Sequence, residues 1–114
     1  MKILTASDGA SSDQFGYSVA ISGDAVVIGA RLDDDPVSAG SAYIFSRDEG
    51  GNNNWGQVKK VIASDSTSGD LFGHSVSMTN ETVIIGAYRD DDGGNSSGSA
   101  YIFERDEGGN NNWG

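Results

Sequence analysis

One pattern of hydrophobic and polar positions occurs twice in the chain. From residue 15 the side chains alternate in size, with Phe15, Tyr17 and Val19 on one face and small residues on the other. This period of two is typical of a β-strand. A nearly continuous apolar run at residues 25–30 predicts a strand that is buried on both faces, and a further alternating segment at residues 40–47 predicts a third strand.

The second copy of this pattern begins at Phe72, 57 residues after Phe15, and ends with Tyr101, Ile102 and Phe103. A fourth strand is predicted at residues 57–63, and no segment has a sustained helical period. Repeated four-stranded sheets are typical of β-propeller blades, which pack face to face. A β-sandwich is the alternative fold, but it does not explain why the two halves match so closely.

The pattern therefore predicts an all-β protein with two four-stranded antiparallel β-propeller blades. Residues 1–114 form one two-blade fragment. Residues 1–13 supply a strand and a loop, residues 14–63 form the first blade, and residues 64–114 form the second blade without its outer strand.

The position of the first strand predicts an assembly. Residues 2–6 align with residues 59–63, so they correspond to the outer strand of a preceding blade, whereas the second blade lacks that strand. The simplest solution is strand donation to a neighbouring copy, which closes the propeller by homo-oligomerisation. Two blades per chain favour a homotrimer of six blades or a homotetramer of eight. The predicted assembly interface comprises Lys2, Ile3, Leu4, Thr5, Ala6 and Trp113.

Charge and composition restrict the partners. The formal net charge of -10 argues against nucleic-acid binding, which requires clustered Lys and Arg. The absence of cysteine excludes disulfides and thiolate metal sites. We expect no membrane insertion, because no apolar run approaches the length of a span, and no secretion signal in the first residues.

The segments Phe15-Gly16 and Ile28-Gly29-Ala30, with their copies, resemble FG-GAP repeats, the blades of integrin-alpha-type β-propellers, and most closely the bacterial variants. The resemblance covers essentially the whole chain. It implies recognition at the cell surface or outside the cell, often with calcium in blade loops, and it does not imply catalysis. The Asp-x-Asp-x-Asp-Gly loop that integrin-type blades place between their first two strands is absent.

The two halves are close copies, since residues 40–56 and 98–114 match at 16 of 17 positions. Recent duplication, or deliberate excision of a two-blade fragment, would explain this identity. The one candidate cofactor is calcium, which prefers six to eight oxygen ligands. Its candidate ligands are Asp33, Asp35, Asp90 and Asp92. The alternative is that these aspartates form solvated acidic loops.

Other candidate sites have structural explanations. His74, the only histidine, aligns with Tyr17 and is predicted to be a packing residue, because the repeats contain no acid–base partner set for it. Trp55 and Trp113 fit packing between blades better than sugar stacking. We therefore expect a non-enzymatic structural or interaction module that assembles into a symmetric ring. A calcium-dependent or carbohydrate-binding cell-surface adhesion module, with a protein or glycan ligand, is the alternative.

Overall fold

The computed structural model describes residues 2–7, 9, 13–31, 40–62, 71–87, 98–109 and 112–114. All the regular elements in these ranges are β-strands, which confirms the all-β prediction. The first sheet contains β1 Phe15–Ser22, β2 Ala25–Ala30, β3 Ser41–Ser46 and β4 Gly56–Val61. The second contains β5 Phe72–Met78, β6 Thr82–Ala87 and β7 Ser99–Glu104.

Each sheet is antiparallel, and its strands are paired in chain order: β1-β2-β3-β4 in the first sheet, called blade 1, and β5-β6-β7 in the second, called blade 2. This meander agrees with the sequence prediction and is consistent with propeller blades. The described part of the chain contains no helix long and apolar enough to span a membrane.

A bulge divides the first strand of each blade. In blade 1 the pairing changes from Phe15↔Ala30 to Ser18↔Gly29, and the same change occurs between Phe72 and Ser75 in blade 2. The glycine after each phenylalanine has a positive φ, 94° at Gly16 and 93° at Gly73, which a residue with a Cβ adopts only under strain.

Each blade has a large face and a small face. The large face of blade 1 carries Phe15, Val19 and Ile21 together with their cross-strand neighbours Ala30, Ile28 and Val26. The small face carries Ser18, Ala20 and Ser22 beside Gly29, Val27 and Ala25. The alternation expected from the sequence therefore gives two surfaces of different relief.

The two sheets pack together through opposite faces. Val27, Ala42 and Ile44 on the small face of blade 1 are fully buried against blade 2. The main core cluster also includes Val61 at the end of β4 and five residues of blade 2, namely Phe72, Val83, Ile85, Ala87 and Trp113. The core of the molecule thus lies between the blades.

A second core cluster covers the large face of blade 1. It contains Ile28, Ala30, Tyr43 and Phe45, and the partly buried residues packed against it are Leu4, Ala6, Phe15 and Val26. The sequence predicts that residues 2–6 become a strand by pairing with a neighbouring copy. Within the described part of this single chain they pair with no strand and have no strand assignment. They lie across the sheet face instead, where the Ser7 backbone N–H also donates to the side-chain oxygen of Gln57.

The fold makes Phe72 a strong determinant of stability, because its side chain is fully buried and packs edge-on against Tyr101 and Phe103. We expect Phe72→Ala to lower the free energy of unfolding by about 3–5 kcal/mol in a urea titration. The exposed loop variant Asn52→Ala should change it by less than about 0.5 kcal/mol. Similar small effects of both variants would contradict this packing.

Candidate interaction surface

The closest approach of the two blades involves backbone atoms at glycines. The chain at Phe72-Gly73, called the Phe-Gly insert of blade 2, enters a notch in blade 1. An isolated parallel β-bridge joins Phe72 to Gly40. The four residues of this glycine notch are Gly29, Ala30, Gly40 and Ser41.

Both surfaces of the contact require glycine. A Cβ on Gly29 would collide with the carbonyl oxygen of Gly73, and a Cβ on Gly40 would collide with that of Phe72. A Cβ on Gly73 would in turn collide with the carbonyl oxygen of Ser41 and lie 3.2 Å from the Ala30 nitrogen. The contact therefore tolerates no side chain at these three positions without a backbone shift.

Serine hydroxyls on the small face of blade 1 hydrogen-bond to blade 2. Ser18 Oγ donates to the carbonyl oxygen of Gly73 at 2.7 Å, and Ser22 Oγ donates to Asn80 Oδ1 at 3.0 Å. The first bond satisfies the backbone carbonyl at the tip of the insert. Small polar residues thus serve both close approach and polar pairing.

A polar cluster lies at the same junction. The Arg31 guanidinium stacks over the Tyr17 ring at 3.9 Å and donates from Nε to Gln14 Oε1 at 2.9 Å. Its Nη1 is 3.4 Å from His74 Nδ1, and the His74 ring is 5.1 Å from the Tyr17 ring. His74 therefore joins the two blades, and these contacts agree with a packing role.

The other half of each surface has no counterpart among the described residues. Gly16, which matches the buried Gly73, is exposed, and a Cβ built on it would meet nothing within 4 Å. In the notch of blade 2, Ser99 is partly exposed, whereas the matching Ser41 is fully buried. The Phe-Gly insert of blade 1 and the notch of blade 2 are thus both open.

Apolar side chains are also buried in one blade and exposed at the matching positions of the other. Ile84 and Ile102 on the small face of blade 2 are 44% and 63% exposed, although the matching Val27 and Ile44 of blade 1 are fully buried. On the large face of blade 1, Val19 and Ile21 are 64% and 66% exposed, whereas their counterparts in blade 2 are partly buried against the core. The exposed region around Ile84 and Ile102 is called the open small face, and the region around Val19 and Ile21 is called the open large face. Elsewhere on the large face of blade 1, Leu4 and Ala6 pack on the buried Tyr43 and Phe45.

The structure places the sequence-predicted site residues as follows. Of the assembly residues, Leu4 and Ala6 pack on the large face of blade 1, Lys2, Ile3 and Thr5 are exposed beside them, and Trp113 is buried between the blades. The calcium candidates Asp33, Asp35, Asp90 and Asp92 lie outside the described residues. Among the described residues, no group of three or more His, Asp or Glu side chains is placed to hold a metal ion.

Each tryptophan lies at the corner between the third strand and the segment that follows. The backbone N–H of Trp55 donates to the backbone carbonyl of Arg47 at 2.7 Å. The backbone N–H of Trp113 donates to that of Arg105 at the same distance. The same two arginines lie over the rings, at 5.5 Å for Trp55 and 5.3 Å for Trp113. These contacts assign both rings to packing at the corner.

Sequence analysis identified the repeated Phe-Gly and Gly-Ala segments but did not predict the contact that they form. The signal that could have found it is the fixed order Phe-Gly in the first strand, Gly-Ala at the end of the second and Gly-Ser at the start of the third, present in both halves. All three pairs meet at one interblade contact, which only the packing of the sheets reveals.

Two antiparallel sheets that pack face to face through such a contact are consistent with a pair of propeller-type blades. The chain belongs to the FG-GAP repeat family, whose model matches residues 1–45 and 55–103, as the sequence resemblance predicted. A comparison with curated proteins finds no match. In this chain, the Phe-Gly, Gly-Ala and Gly-Ser pairs of the repeat form the contact between the two blades.

Because the glycine contact leaves no space for a Cβ, adding one methyl group there should lower the stability of the fold. We expect Gly29→Ala to lower the free energy of unfolding by about 1–3 kcal/mol, because the Gly73 carbonyl would have to move. Gly9→Ala is the matched control, since its Cβ would make only ordinary contacts, at 3.4 and 3.8 Å, with Ala6. Equal denaturation midpoints for the two variants would contradict this account of the contact.

Proposed function

We propose that the protein is a non-enzymatic interaction module that self-associates head to tail into a closed, symmetric propeller ring. FG-GAP repeats are propeller-type interaction modules, which supports the class of function. The observation that carries the self-association is the pairing of faces. The small face of blade 1 packs on the large face of blade 2, whereas the small face of blade 2 and the part of the large face of blade 1 around Val19 and Ile21 are exposed.

The two open faces match the pair of faces that pack together inside the chain. Ile84 and Ile102 on the open small face correspond to residues that blade 2 buries within the chain. Val19 and Ile21 on the open large face correspond to Val76 and Met78, which pack on blade 1. A second copy presents both surfaces with the same relief and the same apolar character, so it is the partner that the internal contact favours.

The glycine contact supplies a register for this association. In the second interface, the Gly16 backbone of one copy enters the notch of Gly86, Ala87, Gly98 and Ser99 of the next. Ser75 then takes the place of Ser18, whose hydroxyl donates to the Gly73 carbonyl within the chain. The polar pairing inside the chain can therefore be repeated between chains.

Such an interface joins two different surfaces, so repetition continues until a ring closes. Because each chain supplies two blades, the ring has an even number of blades. A homotrimer with six blades or a homotetramer with eight is the expected product. Burial of the open isoleucines favours the closed ring over an open chain, which leaves one face of each kind in water.

Solution mass tests the proposal directly. Light scattering coupled to size-exclusion chromatography should give three or four times the chain mass of 11.8 kDa at micromolar concentration. A mass of one chain under these conditions would overturn the proposed ring.

A substitution on the open small face gives a sharper test. Ile102→Asp should weaken association by at least about 100-fold, because assembly would move the new carboxylate from water onto a face packed with apolar side chains. Ile102→Val, which keeps an apolar β-branched side chain, is the matched control and should retain the oligomer. Circular dichroism and melting should show that both variants fold, since Ile102 is 63% exposed within the chain. An unchanged oligomer for Ile102→Asp would exclude this face from the interface.

A further inference from the structure

The segment at residues 2–6 occupies a position with a close counterpart elsewhere in the chain. Leu4 packs on the core cluster at the large face of blade 1. Its match in the repeat is Val61, at the end of β4, which packs in the core cluster that covers the large face of blade 2. The outer strand of one blade therefore contributes to the core on the large face of the next, and residues 2–6 make the corresponding contact on blade 1.

One edge of β7 differs from the matching edge of β3 in its strand pairing. Within the described residues, β7 pairs with β6 alone, whereas β3 pairs with both β2 and β4. The corner that leads into a fourth strand is nevertheless formed in blade 2, because the Glu104 N–H donates to the Gly114 carbonyl at 2.9 Å. This bond matches the Ser46↔Gly56 pairing at the start of β4.

We propose that residues 2–6 form the fourth strand of blade 2 of a second copy, paired with its β7, while Leu4 and Ala6 stay on blade 1 of their own chain. The proposal rests on the head-to-tail association proposed above and names the segment that completes it. Residues 2–6 lie on the face of blade 1 that is turned away from blade 2, so they lie far from β7 of their own chain. Head-to-tail stacking brings the β7 edge of another copy to them.

The pairing of β3 with β4 fixes the expected register. Ala42, Tyr43 and Ile44 lie opposite Val61, Lys60 and Lys59. Transferred through the repeat, this register places Ala100 opposite Leu4, Tyr101 opposite Ile3, and Ile102 opposite Lys2 of the second copy. A strand in another register would place Leu4 away from the core.

An open groove beside Trp55 agrees with this placement. It has a volume of about 170 Å³ and is lined by Lys2, Leu4, Ile21, Val26 and Trp55. The matching ring of blade 2, Trp113, is only 2% exposed and belongs to the same core cluster as Val61 of β4. Lys59 of β4 donates from Nζ to Oδ1 of Asn112, the residue before Trp113, at 3.5 Å. Ordering of residues 2–4 as a strand would close the groove over Trp55 in the same way.

Disulfide trapping tests both the register and the partner, since the chain contains no cysteine. The double variant Lys2→Cys/Ile102→Cys places two thiols at directly opposed positions, whose Cβ separation suits a disulfide. Both native side chains are exposed within the chain, so we expect the variant to fold. After mild oxidation, non-reducing electrophoresis should show covalent species up to the number of chains in the ring.

Control variants distinguish the register of the proposed strand from the formation of the ring. Lys2→Cys/Glu104→Cys shifts one thiol by two residues on the same face of β7 and should cross-link at least ten-fold more slowly. Mixing the two single-cysteine variants should give only mixed dimers, which shows that the bond joins different chains. Ile3→Cys/Tyr101→Cys provides a second in-register pair if Ile102→Cys weakens assembly.

The outcomes distinguish the two proposals. An oligomer by light scattering under reducing conditions, with no in-register cross-link from either pair, would overturn the strand proposal and leave the ring intact. Equal cross-linking in both registers would also overturn it. A monomer with the native sequence would overturn the ring and the strand pairing together.

Discussion

The structure depends on one steric constraint. The backbones of the two blades come into close contact at glycines, because no Cβ separates them there. Gly29 and Gly40 form one wall of this contact, and Gly73 forms the other. Because the contact fixes how far one sheet enters the other, it sets the overlap of Val27 and Ile44 with Ile85 and thus the shape of the core. The hydrophobic effect supplies the driving force, and the glycines set the geometry.

A contact between two different faces has a consequence that a symmetric contact would not have. When a blade packs its large face on the small face of the preceding blade, its own small face is left uncovered. Blade 2 is covered in this way by blade 1, and its own Ile102 remains 63% exposed. Val19 and Ile21 on the large face of blade 1 are exposed as well, and the proposed ring would cover both regions with blades of other copies.

Much of the fold was predictable because alternation and duplication are local properties of the sequence. The strands and their antiparallel pairing follow from the alternation of side-chain size and from its repetition. The position of residues 2–6 was only partly predictable, since strand propensity states what a segment can form and not whether an edge lies beside it. The burial of Trp113 depends on β4 of the other blade, a contact that no local pattern encodes.

The acidic charge is compatible with close stacking because of where the described carboxylates lie. Asp24, Asp48 and Glu49 surround an open surface pocket at one corner of blade 1, where Asp24 pairs with Arg47 at 3.0 Å, and Glu81, Asp106 and Glu107 occupy the matching corner of blade 2. The described residues that meet between the blades are apolar, uncharged or, at Arg31 and Lys59, cationic. Repulsion between corners acts through solvent and is screened beyond about 10 Å at 0.1 M salt. The corners can therefore keep the protein in solution without opposing the contacts that join its blades.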